Sequence, residues 1–384
     1  MRTLTTTEEL AEFCNAAAQG AYVTVDTEFL RERTYWSKLC LVQMALPGDG
    51  EAVLVDPILG EDMSLEPLYA LMRLPDVVKV FHAARQDLEI LHHEGDALPN
   101  PLFDTQVAAM VCGFGEQVGY ETLVRRITKG SVDKTSRFTD WSRRPLTDAQ
   151  KEYALADVTH LRQIYEHLSE ELDRTGRTKW VREELSVLTD SETYVVRPED
   201  AWRRVKTRTN SGKFLAVVAE LAQFRERYAQ ERNIPRNRVF KDDALLELAS
   251  TKPATPADLS RSRLLLREAR KGPIAEGILA AVQAGLARDR SDWPAPDDRR
   301  DRLQINPALA DLLRVLLKAK AETSGVAQKL IASAADLDAI SAGERDVPAL
   351  RGWRHEVFGA DALRLCAGEV ALAAKGARVE VVTL

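Results

Sequence analysis

The chain has 384 residues, 53 Lys and Arg against 59 Asp and Glu, a formal net charge of −6 and 45% apolar side chains. A chain of this length is expected to hold two or three domains, and its composition excludes a wholly disordered protein. No apolar run approaches the ~18–20 residues of a membrane helix, and Met1-Arg-Thr-Leu-Thr has no apolar signal core, so a cytoplasmic protein is expected. Cys14, Cys40, Cys112 and Cys366 form no CxxC pair, which disfavours a zinc ribbon or redox dithiol. The charge is uneven: residues 1–100 carry −10, 101–200 carry −4, 201–290 carry +9 and 291–384 carry −1. An acidic front and a basic middle suggest metal or polar chemistry in one place and polyanion binding in another.

The alternating, β-branched run Ala21–Phe29 reads as a strand. Strands over 40–46 and 52–56 follow, joined by the turn Pro47-Gly-Asp-Gly50, and the three are expected to form a meander. A helix near 65–74, a strand over 77–81, a helix over 85–93, a short strand at 102–103 and a further helix complete a mixed α/β sheet flanked by helices. Asp104 is expected to cap that last helix. Beyond about Gln106 no strand is expected. Thr147-Asp148 starts a long helix with Tyr153, Ala156, Leu161, Ile164, Leu168 and Leu172 near helical spacing. Tyr194–Asp200 breaks the pattern. The remainder reads as helical, with a weak repeat at an offset of 92: Leu221, Phe224, Val239, Leu245 and Leu248 match Leu313, Leu316, Ile331, Leu337 and Ile340. The polar, Pro-rich stretch Arg290–Asp297 separates the two copies.

Three features carry chemistry. Val25-Asp26-Thr27-Glu28 puts two carboxylates on one face of a strand. Their repulsion calls for an offsetting charge such as a divalent cation, though alone the pair reads equally as two solvated acids. Phe81-His-Ala-Ala-Arg-Gln-Asp87 joins a strand to a helix, with Asp87 in the first turns, where the helix dipole alone would also favour it. Tyr153-Ala-Leu-Ala-Asp157 stacks a phenol over a carboxylate at i and i+4, a pair that in isolation reads as a core aromatic beside a solvated acid. Of the neighbours, His82 reads equally as a side chain beside such a site or a packed one, and His160 as a side chain beside it or a solvated one. Gln43 reads as a buried hydrogen-bonding side chain, and His92 and His93 receive no role.

In this order, the strand DxE, the later Asp and the helical YxxxD resemble the DEDD superfamily of 3′→5′ exonucleases in its tyrosine-bearing branch. Asp26 and Glu28 fit the first motif, Asp87 the second, and Tyr153 with Asp157 the third. The position a histidine-branch member would fill with His is Glu152, which disfavours that branch. The resemblance implies an RNase H-like fold and two divalent cations, Mg²⁺ or Mn²⁺, held by Asp26, Glu28, Asp87 and Asp157. Hard cations take oxygen ligands, as this set offers, and two of them about 3.5–4 Å apart support in-line phosphodiester hydrolysis. In this reading Asp26 bridges both cations, Glu28 and Asp157 complete the site of the attacking water, Asp87 serves the other cation, and Tyr153 orients the water.

Asn233-Ile-Pro-Arg-Asn-Arg-Val-Phe-Lys-Asp-Asp-Ala-Leu-Leu-Glu-Leu-Ala249 is similar to the HRDC domain, a helical module. The repeat at 291–384 looks like a diverged copy without the Asn-x-Pro element. The expected organisation is an exonuclease domain over 1–205 with a linker at 198–209, an all-α HRDC domain over 210–290 and an all-α HRDC-like domain over 291–384. This order resembles the ribonuclease D family, which implies trimming of RNA 3′ ends, tRNA precursors among them, with release of nucleoside 5′-monophosphates. Arg203, Arg204, Lys206, Arg208, Lys213, Arg236, Arg238 and Lys241 are candidate phosphate contacts, which give affinity without sequence readout. No membrane partner is expected, and a monomer is favoured. A 3′–5′ DNA exonuclease and a non-catalytic nucleic-acid-binding protein with a nuclease fold are the rival readings.

Overall fold

In the computed structural model, which describes residues 1–60, 62–133, 139–209, 211–295 and 303–384, the alternating runs of the first hundred residues become one six-stranded mixed sheet. Its elements are β1 (Arg2–Leu4), α1 (Thr7–Ala17), β2 (Tyr22–Leu30), β3 (Lys38–Ala45), β4 (Ala52–Val55), α2 (Glu66–Arg73), β5 (Val78–Phe81), α3 (Arg85–Gly95) and β6 (Leu102–Asp104). The strand order is β1-β4-β3-β2-β5-β6. β3 and β4 are antiparallel, while β1 with β4, β2 with β5 and β5 with β6 are parallel. The expected meander is present as three adjacent strands. β3 is buried along all but its first residue, as a strand covered on both faces must be. β1 was not anticipated, because three residues carry no alternation to detect.

Helices α4 (Thr105–Val111), α5 (Tyr120–Leu123), α6 (Asp148–Thr175) and α7 (Thr178–Thr189) follow. α6 begins in a capping box, with Thr147 accepting from the Gln150 N–H and Gln150 reaching back to the Thr147 N–H. It ends at Gly176, whose φ of 68° is a left-handed conformation that suits glycine.

The helical remainder comprises α8 (Gly212–Glu231), α9 (Arg236–Val239), α10 (Asp242–Thr251), α11 (Pro256–Ser260) and α12 (Gly272–Ala287), then α13 (Pro307–Ser324), α14 (Gln328–Ile331), α15 (Ala334–Ser341), α16 (Gly352–Arg354) and α17 (Ala360–Ala367). α9 and α14, and the starts of α10 and α15, lie 92 residues apart, so the repeat read from five apolar pairs is a repeat of elements. The expectation of an all-α C-terminal module is corrected: β7 (Val370–Lys375) and β8 (Arg378–Thr383) form an antiparallel hairpin. Its turn holds Gly376 at φ 62°, and Val379 and Val381 alternate with polar residues along β8, a strand signal that the helical repeat obscured.

The chain divides into two compact units, one of Met1–Glu28, Leu41–Thr193 and Asp301–Leu384, the other of Phe29–Cys40 and Tyr194–Arg300. In the first, the C-terminal module is packed onto α4 and α7. Trp180 and Trp353 stack at 4.9 Å, and Glu184 accepts from the Trp353 indole at 2.8 Å and from Arg354 at 2.6 Å. Arg177 donates to the carbonyls of Val111 and Ser324 at 3.0 and 2.6 Å. In the second, Tyr35 packs against a core built on Leu221, Phe240, Leu245 and Ile278. Asn233 accepts from the N–H groups of Tyr35 and Trp36, both at 3.0 Å.

Candidate active site

The face of β2 that carries Tyr22, Thr24, Asp26 and Glu28 looks onto α6. Tyr22 donates to Glu166 at 2.6 Å, and the Thr24 hydroxyl donates to the Val158 carbonyl at 2.9 Å. This fixes the strand against the helix one residue from Asp157. Asp26, Glu28 and Asp157 thereby each present a carboxylate oxygen, all within 4.8 Å of one another. Asp87 lies in the first turn of α3, 6% exposed, and accepts a hydrogen bond from the Thr27 hydroxyl. It stands beside the trio without joining its closest grouping.

Burial, then the charge of Asp157, pushes Asp26 well above the usual carboxylate range. Burial, then Asp26, Asp157 and Asp87, pushes Glu28 up to about 9. Asp87 is likewise raised, by burial and then by Asp26. Among the described residues that line the adjoining cavity of about 430 Å³ there is no lysine or arginine. Burial and the charge of neighbouring acids thus raise Asp26, Glu28 and Asp87 together, and the oxygen-only donor set they form with Asp157 fits a hard divalent cation.

Tyr153 and Asp157 line this cavity with Asp26, as the i, i+4 spacing required. His82 lines it too. The Thr105 hydroxyl donates to the Phe81 carbonyl at 3.1 Å and lies 3.0 Å from His82 Nδ1. Burial pushes His82 below its ordinary value against the pull of Asp104. His160 is absent from the lining and sits where a side chain on Gly130 would meet its ring. Asp104 caps α4 as expected, accepting from Gln106 and Val107, and it also accepts from the N–H groups of Ala83 and Ala84 at 3.1 and 2.8 Å. Those two bonds hold Ala83 in a left-handed conformation, φ 58°, that a non-glycine residue adopts only when its surroundings impose it.

Sequence reasoning missed Tyr120, which lines the cavity and donates to the Ala156 carbonyl at 2.9 Å, and Trp141, which stacks on Tyr153. Neither has a spacing signal, because each meets α6 only in the folded chain. Gln43 is fully buried as expected, but no partner for its amide is present among the described residues. Of the candidate phosphate contacts, Arg204 and Arg236 pair with the fully buried Glu226 at 3.1 and 3.5 Å, and Arg203 pairs with Asp200 at 3.0 Å. Lys206, Arg208, Lys213, Arg238 and Lys241 are exposed.

Residues 1–173 match the family model of the 3′-5′ exonuclease domain, and residues 214–282 match that of the HRDC domain. A ribonuclease D of Jannaschia sp. (strain CCS1) is 68% identical over 382 residues, 99% of each chain. The chain belongs to the ribonuclease D family. A second relative of that name, from Nitrobacter hamburgensis, is 51% identical over 99% of this chain and 98% of its own. The crystal structure of Escherichia coli RNase D superposes with a TM-score of 0.83 at 30% identity, covering 96% of this chain and 98% of that one. As a member of the ribonuclease D family the chain is a metal-dependent 3′–5′ exoribonuclease with an RNase H-like catalytic domain and an HRDC domain. No helix among the described residues is long and apolar enough to cross a membrane.

Proposed function

We propose that this ribonuclease D family member trims the 3′ ends of structured RNA, tRNA precursors among them, with the tyrosine-branch chemistry of two divalent cations, Mg²⁺ or Mn²⁺. The observation that carries the reading is the trio Asp26, Glu28 and Asp157, with oxygens within 4.8 Å of one another and Tyr153 beside them in the same cavity. When bound, the cations supply a water activated near neutral pH and charge relief at the leaving oxygen. The protein's part is placement. Asp26, with Glu28 and Asp157 grouped beside it, would be a ligand to both ions, Glu28 and Asp157 would complete the site of the attacking water, and Asp87, held by Thr27, would serve the other ion. The Tyr153 hydroxyl orients the water for attack on phosphorus. The bond to the 3′ oxygen of the penultimate nucleotide breaks, and the terminal nucleoside leaves as its 5′-monophosphate.

In this reading residues 1–205 form the nuclease domain with a linker at 198–209, 210–290 the HRDC domain and 291–384 a diverged second copy of it. The matched offset of α9 with α14 and of α10 with α15 supports the second copy. Lys206, Arg208, Lys213, Arg238 and Lys241 contact RNA phosphates with Arg203, while Arg204 and Arg236 chiefly neutralise Glu226. The working form is a cytoplasmic monomer. Sequencing tRNA-precursor 3′ ends after incubation with and without Mn²⁺ tests the proposal. Stepwise 3′ shortening only with metal is expected, and intact ends in both samples would refute it.

A further inference from the structure

The loop before α6 contains a buried ion pair that the proposed chemistry does not use. Asp56 follows β4, is 1% exposed and accepts from the N–H groups of Ile58 and Leu59, both at 3.1 Å. It also takes two parallel bonds from Arg144, Nε to Oδ2 at 2.6 Å and Nη2 to Oδ1 at 2.8 Å. A two-point guanidinium–carboxylate bond fixes orientation as well as distance. The remaining Arg144 nitrogen, Nη1, donates to the backbone carbonyl of Trp141 at 2.7 Å and to that of Arg143 at 2.8 Å. Asp56 and Arg144 are 88 residues apart, so the bond ties this loop to the end of β4.

Trp141 is 2% exposed, and its ring stacks on that of Tyr153 with centroids 6.1 Å apart and planes 29° from parallel. Its indole N–H has no acceptor among the described residues. A buried donor left unpaired is a cost that leucine or phenylalanine would avoid at a merely packed position. The indole is therefore placed for its broad face against the tyrosine.

We propose that Asp56, Arg144 and Trp141 are positioning residues for hydrolysis: the ion pair holds the Trp141 backbone, and the indole face sets the Tyr153 ring so that its hydroxyl meets the attacking water. The inference rests on the role given to Tyr153 above. A misplaced orienting group lowers turnover and leaves binding intact.

The test is a double-mutant cycle on the full chain with single-stranded RNA and saturating Mn²⁺, with the thermal midpoint as a check of folding. Trp141→Leu is expected to lower kcat about tenfold, with KM for RNA, and Mn²⁺ affinity measured by calorimetry without RNA, within about twofold. Trp141→Phe, which keeps a stacking ring, is expected to recover kcat to within about threefold, and Arg144→Lys, which loses the two-point bond, to fall between them. In a Tyr153→Phe background, Trp141→Leu is expected to cost less than about twofold more, because the hydroxyl it positions is already gone. Multiplying losses in the double variant, or wild-type kcat in Trp141→Leu, would overturn the positioning role alone. Wild-type kcat in Tyr153→Phe by itself would instead remove the tyrosine's role, and this proposal with it.

Discussion

The catalytic cavity and the basic module over 201–290 use charge in opposite ways. In the cavity, Asp26, Glu28, Asp87 and Asp157 are crowded until burial and mutual repulsion push the first three above their ordinary range. In the module, with its surplus of +9, Lys206, Arg208, Lys213, Arg238 and Lys241 are exposed, the buried Glu226 is answered by Arg204 and Arg236, and the buried Arg225 by Asp242. Frustrated charge marks a place built to receive a counter-ion, and solvated charge of one sign marks a place that attracts a polyanion. On the proposed roles chemistry and affinity are separable, and each is expected to be removable without the other.

The largest expected effect is on chemistry alone. Asp26→Asn is expected to lower kcat at least about a thousandfold, about 4 kcal/mol of transition-state stabilisation, while RNA affinity from fluorescence anisotropy stays within about threefold. A parallel loss of affinity would break the separation.

Next comes the linkage between the acids and pH. Glu28 sits near 9 in the fold against an ordinary value of 4.5, so the unfolded chain gives up this proton more readily than the folded one. Metal-free stability should therefore decline as pH rises from about 4.5 towards about 9. Mn²⁺ at one fixed concentration, about a hundred times its dissociation constant at pH 6, is expected to raise the thermal midpoint by about 5 °C at pH 6 and by more at pH 8, since binding displaces protons and tightens as pH rises. Calorimetric scans at the two pH values check this; equal shifts would place the metal elsewhere.

The smallest effect belongs to the basic module. Changing Lys206, Arg208, Arg238 and Lys241 together to Gln is expected to raise KM several-fold and to flatten the log-affinity against log-salt slope by roughly 3, if each contacts one phosphate of single-stranded RNA. kcat should stay within about twofold. A changed kcat with an unchanged slope would reverse the assignment.

Much of this was legible in the chain because it is local. Alternation set Asp26 and Glu28 on one face, helical spacing set Tyr153 over Asp157, and Asp104 and Thr147 were readable as caps. The repeat offset anticipated the correspondence of α9 with α14. What was hidden depends on contacts between distant residues. Asp56 meets Arg144 across 88 positions, Trp141 meets Tyr153 only once that loop is closed, and Phe29–Cys40 joins a unit otherwise built from Tyr194 onwards. Glu226 shows the same limit from the other side: the sequence offered Arg204 and Arg236 as candidate phosphate contacts, and folding gave them a buried acid. The β7–β8 hairpin is a different kind of miss, a local signal overridden by the expectation of a helical repeat.

The carboxylate cluster is proposed to work by holding cations at the 3′ end of an RNA. The most direct measurement is the release of labelled nucleotide from 3′-end-labelled RNA by chelator-treated protein as Mn²⁺ is titrated back, with wild type and Asp26→Asn side by side. Nucleoside 5′-monophosphate is expected to be released one residue at a time, only with metal and only by the wild type. Release by the chelated protein, or equal release by Asp26→Asn, would contradict it.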